Sequence, residues 1–222
     1  MTKAGFDGRV FLKTCLNGSS ELMTNISASI VTMLYNFQLL SFAGEDGVAA
    51  YGVIMYVNFV FSAIFFGYAI GSAPIIGYHF GAQNHAEMKS LFRRSLVLVG
   101  TAGAAMTLMA EGLSMPLTRI FVGFDAELLS ITCRGFRLYS LAFLFSGMNI
   151  FGSAFFTALN NGAVSAAISF LRTLVFQVAV VLILPIFLGI DGIWLAIVIA
   201  ELLAIVVTIL FFVTKRKKYH FA

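Results

Sequence analysis

Two residues call for a chemical explanation before any other. Glu201 lies near the middle of an apolar run spanning 192–213, and Arg172 lies inside another spanning 165–188. A bare charge at such a depth in hydrocarbon costs about 2.5–3.5 kcal/mol or more, so each must be neutralised, paired or wetted. Two chemistries fit. The side chains form an interhelical ion pair that holds antiparallel helices together, with the long arginine stem covering a difference in depth. Alternatively, they handle a proton or a cation. Glu21, at the entrance of the first apolar run, is a third ionisable position of the same kind.

Uncharged polar residues extend the pattern. At helical spacing, Glu21, Asn25, Ser29, Thr32 and Asn36 share one face of the run 22–42. Tyr51, Asn58, Ser62 and Ser72 do so in 48–78, and Tyr139, Ser146, Ser153 and Thr157 in 131–159, with Asn149 beside them. Lipid cannot hydrogen-bond an amide or a hydroxyl, so these faces should turn toward other helices or a water-filled cavity. Asn25, Asn36, Asn58, Tyr139 and Asn149 therefore join Glu21, Arg172 and Glu201 as candidates for an ion or substrate path. Gly67 and Gly71 form a GxxxG step, and Ala196, Ala200 and Ala204 a ridge of small residues. Both are expected to be helix-packing faces. His79 and His85 have no cysteine partner and make a poor metal site. No nucleophile elbow or phosphate-cradling loop is present, and no pair of catalytic groups converges, so an enzyme is not expected.

These residues need a scaffold, and the composition dictates its class. Of 222 residues, 60% are apolar and only 11% charged, against roughly 25% in a soluble domain. Mean hydropathy is +0.96. From Leu22 to Tyr78 the only charges are Glu45 and Asp46, and from Tyr139 to Ala200 only Arg172 and Asp191. A disordered chain, a nucleic-acid-binding domain and a soluble enzyme are excluded. The fold class is an all-α integral membrane protein. Six runs are long enough to cross a bilayer: 22–42, 48–78, 91–110, 131–159, 165–188 and 192–213. The second and fourth exceed the usual length, which predicts tilt or an extension into the interface, and Pro74 predicts a kink. The domains are then a cytoplasmic N-terminal segment (1–21), a six-helix lobe (22–213) and a basic cytoplasmic tail (214–222).

Orientation follows from the basic residues. Lys3, Arg9, Lys13, Lys89, Arg93, Arg94, Arg172 and the cluster Lys215, Arg216, Lys217, Lys218 fall on one side. Only Arg119, Arg134 and Arg137 fall on the other. The richer side is cytoplasmic, which places both termini there. Cys15 and Cys133 then lie on opposite sides and cannot bridge within one chain.

Several segments together resemble the multidrug and toxic compound extrusion (MATE) transporters. The stretch from Gly71 to Asn84 carries P-x-x-x-Y-x-x-G-A-x-N at Pro74, Tyr78, Gly81, Ala82 and Asn84. The segments Asn17 to Glu21, Gly44 to Tyr51 and Phe155 to Gly162 are similar to family segments in the same order, the first to a prokaryotic branch. Members have twelve spans in two six-helix lobes around a shared cavity, and this chain resembles the second lobe. The resemblance implies export of amphipathic or cationic organic compounds, such as drugs, across a prokaryotic plasma membrane. The driving force would be inward Na⁺ or H⁺, with no other cofactor. It also implies a partner, either an N-terminal lobe or a second copy of the chain. Family members carry acidic residues deep in the lobe's first and fourth helices. Here Glu21 is at the entrance and the fourth run has no Asp or Glu, so that cation site is not carried over. A lipid-linked saccharide flippase of the same superfamily and a non-transporting membrane protein that binds a partner are the alternatives.

Overall fold

A computed structural model describes residues 8–221, apart from the side chains of eight positions between 10 and 24, among them Glu21. Among the described residues there are helices and no strands. The chain begins with α1 (Gly8–Gly81), whose continuity is broken at Gly44, with φ 61° and ψ −151°. That backbone region is essentially open to glycine alone. The chain folds back there. The rings of Tyr35 and Tyr51 stack with centroids 5.2 Å apart, whereas a straight helix would hold these positions about 24 Å apart. The two arms of α1, 8–43 and 45–81, are therefore separate crossings joined beside Glu45 and Asp46. Pro74 keeps helical dihedrals, so the only interior break of α1 is at Gly44.

After a turn with Gln83 in the left-handed region, α2 (His85–Val122) is capped by Asn84, whose side chain accepts from the Glu87 amide. The run 131–159, expected as one tilted span, is instead two helices. They are α3 (Ala126–Ser140), capped by Asp125, and α4 (Phe143–Ala158). They meet at a 49° bend. The fifth crossing comprises α5 (Gly162–Phe170), a π-helical turn (Leu171–Phe176) and α6 (Gln177–Leu188). Gly189, with φ 57°, turns the chain into α7 (Ile190–Tyr219). With the fold-back at Gly44 counted and the bent pair taken as one, the bundle has six crossings.

α4 packs against the second arm of α1, where Phe143 stacks on Phe61 and Phe151 meets Tyr68, and against α2, α5 and α7. The buried core joins Ile54, Phe61, Phe65, Phe143, Phe151 and Trp194. Around it the surface is apolar, with Phe59, Ile70, Leu108, Ile186 and Phe187 exposed, as suits side chains that meet lipid. The two ends differ. At one, Arg134 and Asp191 form a two-pronged ion pair between α3 and α7. At the other, the rings of His85 and His220 lie 4.7 Å apart. An aromatic clasp sits beside them, where Phe92 of α2 has its ring centroid 5.1 Å from Phe155, 4.9 Å from Phe212 and 4.7 Å from Phe221.

Candidate functional site

Arg172 belongs to the π-helical turn. The extra residue that such a turn inserts changes the register of the helix around it, and turns of this kind concentrate at functional sites. From there the guanidinium reaches α7. Arg172 Nε donates to Glu201 Oε1 at 2.8 Å and to Oε2 at 3.0 Å, and Nη2 lies 2.7 Å from Oε1. The Glu201 side chain is 2% exposed and that of Arg172 14%. Both carboxylate oxygens are occupied, because Asn149 Nδ2 donates to Oε2 at 2.7 Å and to the Glu201 carbonyl at 3.0 Å. The other end of the same amide accepts from Thr208 Oγ1 at 2.9 Å. These bonds fix the orientation of Asn149, which is fully buried. Gly152 makes the arrangement possible, since a Cβ there would stand 2.4 Å from the Thr208 methyl. A buried ion pair is costly to desolvate unless its remaining hydrogen bonds are satisfied, and this one is tied in from three helices.

Two cavities flank the pair. The smaller, about 210 Å³, is bordered by Asn58, Tyr139, Ser146, Gln177, Arg172 and Glu201. The Ser146 hydroxyl is buried there without a hydrogen-bond partner. The larger, about 330 Å³, lies between the second arm of α1, α4 and the π turn. Its walls include Phe66, Ile70, Pro74 and Ile150, and its polar edge is Ser153, Thr157, Ser169 and Arg172. Arg172 borders both cavities, whereas Glu201 borders only the smaller one.

The structure thus brings Asn58, Tyr139, Asn149, Arg172 and Glu201 together. It does not bring Asn25 or Asn36 to them. Asn25 is exposed, and Asn36 bonds locally, donating from Nδ2 to the Thr32 carbonyl at 3.0 Å. Ser29 and Thr32 are exposed as well, so the polar face of the first arm points out of the lobe instead of into its cavity. Helical spacing identified the face but not its direction. The Glu21 side chain is outside the described residues. Gly67 and Gly71 are also exposed, and a Cβ at either would meet nothing within 4 Å. The GxxxG step therefore packs against no helix among the described residues, whereas Ala196 and Ala200 are fully buried. Ser146, Gln177 and Thr208 are site residues that the sequence pattern did not single out for the path. Ser146 belonged to a stripe, but Gln177 and Thr208 gave no signal beyond being polar within an apolar run. Cys15 and Cys133 are both free thiols.

A family model described as MatE matches residues 22–183. Among solved structures, an outward-facing multidrug resistance MATE family transporter of the MOP superfamily aligns with a TM-score of 0.88 at 21% identity, covering 99% of this chain and 50% of that one. A MOP superfamily transporter from Pyrococcus furiosus Vc1 (DSM3638), reported for the reverse polarity of its binding pocket, aligns with a TM-score of 0.87 at 20% identity, covering 96% and 48%. The Vibrio cholerae MATE transporter VcmN in its bent form gives 0.81 at 20% identity, with 91% and 45% covered. At these identities the likeness is one of fold, and the chain spans about half the length of the structures it matches. No curated protein matches the chain.

Proposed function

The chain belongs to the MatE family of membrane transporters, and on that premise we propose that it is the C-terminal lobe of a cation-coupled efflux antiporter for amphipathic organic compounds. The observation that carries the coupling is Glu201. A carboxylate held at mid-span by Arg172 and Asn149 borders a cavity with Asn58, Tyr139 and an unpartnered Ser146 hydroxyl. Such a carboxylate is the kind of group by which a transporter takes up a proton or Na⁺. An entering cation competes with the guanidinium for the carboxylate, so its arrival loosens the contact between the π turn and α7. The helices on either side of the pair are then the moving parts.

Transport in this architecture needs two bundles rocking about a shared site, and one lobe supplies one wall. The polar face of the first arm and the open Gly67–Gly71 face are surfaces available to the partner, whether an N-terminal lobe or a second copy. The proposed setting is a prokaryotic plasma membrane with both chain ends cytoplasmic. A lipid-linked saccharide flippase is the second reading. Its support is the single basic residue at the cavities, Arg172, and that charge is already balanced by Glu201.

The test is dye efflux from proteoliposomes under an imposed Na⁺ or H⁺ gradient, with the chain reconstituted alone and with a family N-terminal lobe. Expected are no efflux alone, gradient-driven efflux of ethidium with the partner lobe, and loss of gradient dependence in Glu201→Gln. A folded Glu201→Gln protein that retains gradient-driven efflux refutes the coupling role.

A further inference from the structure

The ion pair is asymmetric with respect to the two cavities. Its carboxylate borders only the smaller one, whereas the guanidinium's residue borders both. Among the described residues, Arg172 is the one charged residue that lines the larger cavity. Nη1 makes no hydrogen bond to the described residues and supplies two further donors.

The rest of that cavity's polar edge is made of hydroxyls. Ser153 Oγ lies 2.9 Å from Ser165 Oγ and 2.8 Å from Ser169 Oγ, and Thr157 Oγ1 lies 2.7 Å from Ser165 Oγ. Hydroxyl hydrogens rotate, so such a chain can turn an O–H toward an incoming acceptor and relay the change along itself. Among the described residues, no acidic side chain borders the cavity. The remaining walls are apolar, and about 330 Å³ suits a small amphipath.

We propose that the larger cavity is a subsite for amphipaths with an anionic or acceptor head, a phosphate or carboxylate, placed on Arg172 and the Ser153–Ser169 hydroxyls with the tail along Phe66, Ile70 and Pro74. An organic cation placed there meets a positive charge and no carboxylate. This assignment rests on the transporter reading for its biological meaning, since it names the head chemistry accepted at this one subsite of the lobe. The binding itself does not depend on transport.

A matched pair of probes tests it: octyl phosphate and octyltrimethylammonium, titrated calorimetrically into the full chain in a maltoside detergent and corrected for empty micelles. The wild-type chain is expected to bind the phosphate at least about tenfold more tightly, the factor that one charge-assisted hydrogen bond supplies. The double variant Arg172→Gln/Glu201→Gln, which keeps an uncharged pair in place, should lose the preference. Ser153→Ala/Ser169→Ala should weaken the phosphate severalfold and leave the ammonium unchanged. Equal or reversed preference in the wild type, no binding of either probe, or a preference that survives in the double variant overturns the subsite. Failure of coupled efflux with the phosphate preference intact would instead strike the transport reading alone.

Discussion

Replacing Glu201 by alanine leaves the Arg172 guanidinium, with a side chain only 14% exposed, without its partner. Removing one member of a buried pair costs about 3–5 kcal/mol, because the other charge stays desolvated. Two details of the structure bear on where in that range the cost falls. Arg172 borders two cavities, so water can reach part of the orphaned charge and lower the cost. Asn149 Nδ2 loses its acceptor at 2.7 Å but keeps the Glu201 carbonyl at 3.0 Å, so the amide is not stranded. The expected loss is therefore near the lower bound, about 3 kcal/mol. For a chain of this size that is a fall of roughly 6–12 °C in the melting temperature. Trp194 is fully buried and is the only tryptophan, so its fluorescence reports the transition in detergent. Arg172→Gln/Glu201→Gln should recover most of the loss. A Glu201→Ala chain that melts within a degree or two of wild type, or a double variant no better than the single, would refute the idea that the pair holds the π turn to α7.

Two further outcomes are expected. Gly44→Ala should cost about 1–3 kcal/mol purely from backbone strain, since no atom lies within 4 Å of the new methyl; Gly52→Ala, equally open but inside the second arm, is the control and should lower the melting temperature not at all. In a background with Cys15 and Cys133 replaced by serine, an impermeant maleimide added to intact cells should label Leu188→Cys and spare Lys217→Cys, and the reverse pattern would overturn the orientation read from the basic residues.

The crossings were legible because charges are absent over long stretches, and the fold-back at Gly44 was marked by the adjacent Glu45 and Asp46. The bend between Ser140 and Phe143 was not marked, since Leu141 and Ala142 are ordinary helix formers and no proline or glycine stands there. The π-helical turn was hidden for a related reason. One inserted residue is set by packing against α7, and Leu171–Phe176 carries no sequence signature for it. Arg172 and Glu201 stood out because isolated charges in apolar runs are conspicuous. Their pairing was one of two readings until the register around Arg172 was known. The first arm shows the converse limit. Asn25, Ser29, Thr32 and Asn36 share a face as the spacing required, but periodicity carries no information about whether a face looks inward or outward.

The aromatic clasp has a consequence for how the lobe is made. Its rings come from α2, α4, α7 and the residue Phe221 that follows the last crossing. Helices enter a bilayer in chain order, so Phe92 and Phe155 are in place well before Phe212 and Phe221 emerge. Until then each of these two rings lacks two of its three partners in the clasp. The clasp can close only after the sixth helix is threaded, so this packing is completed late in the assembly of the lobe.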